Sequence, residues 1–216
     1  METRFSHGKI RCVIYDCDGV LFDSYEANTR LYNDFCKKMG REPLRPEEMD
    51  YVHAHTVYEA IHSLFGRDRE MEKRALEFLK QLDLREYIDY LKMEPHLLET
   101  LKRLKENEMM RAICTNRTTS MKHIMGRFQL WPYFEMVVTA LDVKHPKPHP
   151  ESVRRILEAF HLSEEETVFV GDSEVDQQTA ESSGVQFIAY KNREIRHHVS
   201  IEDHLDLLNH LGIGTP

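Results

Sequence analysis

The chain of 216 residues is long for a minimal module and short for two full domains, so one hydrophobic core carrying an insertion is the expected organisation. With 41% apolar and 31% charged residues, and no repeat, low-complexity tract or Pro/Gly/Ser-rich linker, the composition excludes a disordered polymer; a formal charge of −8 offers no basic footprint for nucleic acid or anionic lipid. No run approaches the roughly 18 apolar residues that span a bilayer, and the opening METRFSHGK has no apolar signal core, so a cytoplasmic protein with a small soluble partner, no nucleic acid and no membrane is expected.

In chain order, residues 10–15 form the first β-branched, apolar run, broken only by Arg11, and predict a strand. Residues 24–91 then lose the strand pattern. Helical spacing recurs there in Leu31, Phe35 and Met39, in Val57, Ile61 and Leu64, and in Met71, Ala75, Phe78 and Leu82. Beyond this insertion, helices over 95–106, 121–128, 152–160 and 174–183 alternate with strands over 110–114, 135–139, 167–170 and 185–190. Strands alternating with helices predict an α/β fold, a Rossmann-like, doubly wound parallel sheet. The core is expected over residues 1–20 and 92–216 and an inserted α-helical cap over 21–91, lying above the carboxyl ends of the strands, where such folds bind ligands.

The strands at 10–15, 110–114 and 167–170 each end in a polar cluster, DCDG from Asp16, TNR from Thr115 and GDSEVD from Gly171, and KPHP from Lys147 follows the strand at 135–139. Parallel strands bring these ends to one rim. Asp16, Asp18 and Asp172 supply hard oxygen ligands, too few for a Ca²⁺ cage and suited to Mg²⁺ completed by water and substrate phosphate. Thr115 adds a hydroxyl and Lys147 a point positive charge, which together make an anion cradle. Alternation puts Asp16 and Asp18 on one side and Cys17 on the other. Two carboxylates near one phosphorus can divide the work, one attacking to form an acyl phosphate and the other moving protons. Gly19 lets the chain turn sharply into the insertion.

These four motifs, in order and over nearly the whole chain, resemble the haloacid dehalogenase superfamily, in its phosphoglycolate phosphatase and β-phosphoglucomutase-like branch with a helical cap. The resemblance implies Asp16 as nucleophile and Mg²⁺ ligand, and Asp18 as acid and base that also binds the metal through its carbonyl. It further implies Thr115, Asn116 and Lys147 on phosphate, Asp172 as metal ligand, and Asp176 supporting the metal site from behind. The implied reaction is Mg²⁺-dependent hydrolysis of a small phosphomonoester through an aspartyl-phosphate. The second acid, Asp18, counts against carbon–halogen and carbon–phosphorus cleavage. Sugar phosphomutases of the branch often carry His where Asn28 stands, which weakens that alternative. A catalytically silent binding protein is opposed by the intact set.

Outside the motifs, Asp23 and Ser24 are expected to turn the chain and cap the first helix of the insertion. Tyr25, Asn28, Arg30, His53 and His55 are candidates for substrate selection. The four cysteines read as buried or semi-buried thiols, and His145 and His149 as surface residues, with lining of the mouth as the alternative. His53 with His55, and His197 with His198, lack a Cys or third His at zinc-ligand spacing.

Overall fold

The computed structural model describes residues 10–195 and 198–214. The amino-terminal stretch read for a signal core and His197 of the second histidine pair lie outside them. Strand β1 (Cys12–Tyr15) is buried at all four positions, as a strand covered on both faces must be. Alternation divides it between two cores. Val13 and Tyr15 pack with Leu97, Leu101, Ile124 and Leu207 on one face, and Cys12 and Ile14 with Val153, Ile156, Ala180 and Phe187 on the other.

After β1 come β2 (Phe22–Asp23), α1 (Tyr25–Met39), α2 (Pro46–Ala54), α3 (Val57–Phe65), α4 (Arg69–Gln81), a 3₁₀ stretch (Leu84–Tyr90) and β3 (Lys92–Met93). The chain continues through α5 (Leu97–Glu106), β4 (Met110–Cys114), α6 (Ser120–Arg127), β5 (Met136–Val138), α7 (Glu151–Phe160), β6 (Thr167–Gly171), α8 (Glu174–Ser183), β7 (Gln186–Tyr190), β8 (Val199–Ile201) and α9 (His204–His210). Six strands form one sheet in the order β5-β4-β1-β6-β7-β8, parallel throughout. The chain builds outward from β1 to β4 and β5, then returns to the other side of β1. The carboxyl ends of β1 and β6 therefore flank the reversal point, where a crevice opens. This is the Rossmann-like α/β fold that the alternation predicts.

The helices α1 to α4 bury a core of their own around Tyr32, Phe35, Met49, Ile61, Phe65 and Ala75. Their ends are sealed locally: Thr56 and Glu59 form a capping box at the start of α3, Asp68 caps α4, and Gly40 takes the left-handed conformation that closes α1. The chain enters and leaves this helical segment through a two-stranded antiparallel ribbon, Phe22 opposite Met93 and Asp23 opposite Lys92. Phe22 is buried against Phe128 with ring centroids 4.5 Å apart, which ties the ribbon to the α/β core.

The structure corrects the expected Ser24 cap. Ser24 occupies the N-cap position of α1, but its ψ of 6° is not the extended value that aims a hydroxyl at the first turn, and the side chain makes no cap bond. Asp23 does take a turn role, accepting from the Tyr25 N–H at 3.2 Å. All four cysteines are buried and free, with burial pushing the Cys12 thiol up to about 12. No helix among the described residues is long and apolar enough to cross a membrane.

Candidate active site

The first side chains of the site emerge where β1 runs out. The Asp16 N–H still donates to the Val170 carbonyl at 2.9 Å, so the nucleophile candidate sits on the last rung of the ladder. Cys17 turns into the core, and its carbonyl accepts from the N–H groups of Leu21 and Phe22 at 3.0 and 3.1 Å, closing a tight turn. Gly19 makes that turn possible with φ of 70°. It also makes room: a Cβ there would lie 1.9 Å from Oδ2 of Asp172, so any side chain at this position would expel the carboxylate from the rim.

Lys147 joins the rim from the loop after β5. Its side chain is 2% exposed, and its Nζ lies 2.7 Å from Oδ1 of Asp16 and 2.6 Å from Oδ1 of Asp176. The other Asp176 oxygen accepts from the Ser173 hydroxyl at 2.7 Å and from the N–H groups of Ser173 and Asp172 at 3.2 and 3.3 Å. Asp176 thus fixes both Lys147 and the segment that carries Asp172.

Asp16, Asp172 and Asp176 bring carboxylate oxygens within 4.8 Å of one another. One ammonium does not balance three carboxylates. Burial, and then the Asp176 charge, push Asp16 up to about 7 against the pull of Lys147; burial, Asp176 and Asp16 raise Asp172 well above the carboxylate range. Lys147 itself is held protonated, because Asp16 and Asp176 outweigh its burial. A cluster of hard oxygen donors with surplus negative charge fits a divalent ion of the magnesium type.

Asp18 lives in a different environment. Arg117 Nη2 donates to its Oδ1 at 2.6 Å, and Asn28 Nδ2 approaches the same oxygen at 3.4 Å. Burial alone would raise this carboxyl, but the Arg117 guanidinium, assisted by His53, holds it below the usual range. The side chain of Asp18 is not part of the acidic cluster, which leaves its backbone carbonyl for any metal contact.

Between the rim and the helices lies a cavity of ≈ 60 Å³, lined on the rim side by Asp16, Asp18, Thr115, Asn116, Arg117 and Lys147 and from above by Asn28, Tyr32, His53 and Ala54. The Thr115 oxygen accepts from the Arg117 N–H at 3.1 Å, which frees its own proton for an anion. The Asn116 amide donates to the carbonyls of Ala54 and Lys147 at 3.2 and 3.1 Å; with those donors engaged, phosphate contact at this residue falls to its backbone N–H.

Of the selection candidates, Asn28 and His53 face the cavity, joined at 3.0 Å between Asn28 Nδ2 and His53 Nδ1. His55 lines it too and stacks on Tyr51. Tyr25 lies outside, 59% exposed beside an open cleft that reaches Asp172. Arg30 does not reach the site: it pairs with Glu26 and stacks on Tyr90. Arg117 is the residue that sequence reasoning missed. Its signal was present in the TNR cluster at a strand end, but an arginine in a loop carries no direction until the fold turns it inward.

Comparison with known proteins agrees with this architecture. The family model described as haloacid dehalogenase-like hydrolase matches residues 13–190. A solved HAD-superfamily hydrolase of subfamily IA, variant 1, from Geobacter sulfurreducens is 38% identical, with 95% of this chain and 97% of that chain covered and a TM-score of 0.76. A phosphoglycolate phosphatase from Rhodobacter capsulatus is 27% identical over 190 residues, 82% of this chain and 83% of its own length. A pyrophosphatase PpaX from Oceanobacillus iheyensis is 24% identical over 183 residues, 83% of each chain. With its parallel sheet, its four motifs on one rim and a family match that runs from β1 to the end of β7, the chain belongs to the haloacid dehalogenase-like hydrolases.

Proposed function

We propose that the chain is a Mg²⁺-dependent phosphatase that hydrolyses a small phosphomonoester of the phosphoglycolate or sugar-phosphate type through an aspartyl-phosphate on Asp16. In this reading residues 1–20 and 92–216 are the catalytic core and 21–91 a cap over it. The observation that carries it is Lys147 bonded to both Asp16 and Asp176 beside a third carboxylate, Asp172. That rim is too negative to accept a phosphate by itself and is completed by a divalent cation. The side chains of Asp16 and Asp172 and the carbonyl of Asp18 would hold Mg²⁺. When bound, the ion offsets carboxylate and phosphoryl charge, so that an anionic nucleophile can approach an anionic substrate.

An Asp16 oxygen attacks phosphorus as the ester P–O bond breaks, and the leaving oxygen takes a proton from Asp18. A water molecule then gives a proton back to Asp18 and attacks the acyl phosphate, releasing inorganic phosphate and restoring the Asp16 carboxylate. Lys147 holds Asp16 in place, while the Thr115 hydroxyl and the Asn116 N–H bind phosphoryl oxygens. In the substrate-free arrangement Asp18 is set as a base, since Arg117 keeps it ionised. Acting as an acid requires Arg117 to turn to another anion. A carboxylate or second phosphoryl group on the substrate supplies one, which favours the phosphoglycolate type over a sugar monophosphate, and the relatives named phosphoglycolate phosphatase and pyrophosphatase bear names of substrates with that feature.

The test is release of inorganic phosphate by the purified protein with Mg²⁺ from phosphoglycolate, pyrophosphate, sugar phosphates and nitrophenyl phosphate. Hydrolysis of at least one is expected, and its loss on chelation. An isomerised sugar phosphate without free phosphate would establish a mutase instead. No turnover of any, with tight binding of a metabolite or protein, would establish a binding protein.

A further inference from the structure

The loop that carries Lys147 has an outer face with different chemistry. Prolines 146, 148 and 150 alternate with His145, Lys147 and His149, and while Lys147 turns inward, the two histidines stay in solvent. Their ring centroids lie 4.6 Å apart. Both face the carboxylate of Glu151, the first residue of α7: His145 Nδ1 is 3.1 Å and His149 Nδ1 4.0 Å from the same oxygen, Oε2. The carboxylate is steadied from behind, Oε1 accepting from the Lys144 N–H at 2.9 Å and Oε2 from the His145 N–H at 3.1 Å. One ligand atom from each of the three side chains falls within 4.8 Å of the others.

We propose that this outer face is a second metal site, taking one divalent ion of the zinc class on His145, His149 and Glu151, with water in the fourth position. Tetrahedral zinc with bonds of about 2.0–2.2 Å sets its ligand atoms about 3.3–3.6 Å apart. His145 and Glu151 already stand close to that spacing, and His149, whose Nδ1 accepts the Glu151 N–H at 3.3 Å, reaches it by giving up that bond as its exposed ring rotates. The backbone donors behind Glu151 do what outer partners do in metal sites, fixing the ligand's orientation before the ion arrives. Imidazole nitrogen favours zinc, nickel and copper, whereas magnesium prefers an all-oxygen shell. The two sides of one loop therefore sort two kinds of ion, and zinc on the outside cross-links the base of α7 to the segment that presents Lys147.

The experiment uses the full chain without a histidine tag, in millimolar Mg²⁺ to occupy the acidic rim, titrated with Zn²⁺ against a chromophoric chelator. One zinc per chain is expected. His145→Ala and His149→Ala should each weaken it by at least about tenfold, whereas Asp172→Asn should leave it in place. Co²⁺ in place of Zn²⁺ should give the visible absorption of a four-coordinate site in the wild type and lose it in both histidine variants. Both rings are exposed, so the variants should keep the wild-type circular dichroism; His145→Gln repeats the test with a side chain closer in shape. Absence of zinc binding, equal affinity in wild type and both histidine variants, or binding that Asp172→Asn abolishes and the histidine variants retain would each overturn the proposal.

Discussion

The rim of the sheet and the helices above it face each other across one cavity, but their side chains are held in different ways. On the rim, Lys147 is locked between Asp16 and Asp176 at 2.7 and 2.6 Å, and Asp176 takes three further donors. Across the cavity the polar contacts are fewer and longer than the Lys147 pairs: Asn28 to Asp18 at 3.4 Å, and Asn116 to the Ala54 carbonyl at 3.2 Å. Under the proposed function, the groups that do chemistry are thus preorganised on strand ends, whereas the groups that would meet the rest of a substrate can be withdrawn at small cost. The short ribbon of β2 and β3 is the natural place for that movement, being only two residue pairs long.

The strongest way to break this contrast is to change the two acids of the rim. Asp16→Asn should abolish turnover and every covalent intermediate, whatever the leaving group, because no other carboxylate sits on the last rung of β1. Asp18→Asn should cost a smaller factor, about 10²–10⁴, and the loss should depend on the substrate. Nitrophenolate leaves without a proton, so rapid quench of Asp18→Asn should show a burst of nitrophenol near one equivalent followed by slow turnover, while an alkyl phosphate stalls before the burst. A burst from Asp16→Asn and none from Asp18→Asn would exchange the roles. Equal, wild-type rates from both would make the pair structural.

The same contrast governs what was legible beforehand. The strand at 110–114 and the helix at 174–183 appear where the sequence puts them: the strand is a short apolar run bounded by polar turn residues, and the mostly polar helix fills the crossover that two neighbouring parallel strands require. The convergence of Asp16, Thr115, Lys147 and Asp172 follows from parallel strands alone. The short elements were not legible: β2, β3 and β8 have two or three residues each and α9 has seven, below the length at which a period can be read. Nor was α2 separated from its neighbours, because it buries only Met49 and Val52. Side-chain direction was legible only in part. Asp18 turned to Arg117 is decided by a neighbour 99 residues away, and Ser24 loses its cap because its own backbone leaves the extended conformation.

Arg117 sharpens the comparison, because it belongs to the rim and yet faces the variable part of the cavity. Arg117→Ala should lower kcat/KM by about 10² for phosphoglycolate or pyrophosphate, the scale of hydrogen bonds to charged groups, and change it much less for nitrophenyl phosphate. Steady-state kinetics on the two substrate types read this directly. A uniform loss would assign Arg117 to holding Asp18 rather than to recognition.

The smallest expected effect concerns the anchor beneath the rim. His204, on α9, is fully buried and donates from Nε2 to the Val20 carbonyl at 2.8 Å, inside the turn that follows Asp18. Its other nitrogen, Nδ1, is buried without a hydrogen-bond partner. Protonation would therefore create a buried cation with an unmatched N–H, and burial depresses the imidazole to about 4 from its ordinary 6.5. The sign follows from linkage: the unfolded chain binds this proton first as pH falls, so the contribution of neutral His204 is full above pH 6.5 and is lost towards pH 4. Between pH 7.5 and 5 the loss should be on the order of 2 kcal/mol. His204→Gln keeps a donor for the Val20 carbonyl and removes the titration. Urea unfolding of both proteins at the two pH values isolates the effect from the carboxylates of the rim, which titrate in both. The difference in stability between wild type and variant should shift by that amount in favour of the variant at the lower pH. An unchanged difference would mean that His204 finds a proton acceptor in solution, and that the turn after Asp18 is less firmly tied to the core than the strand ends around it.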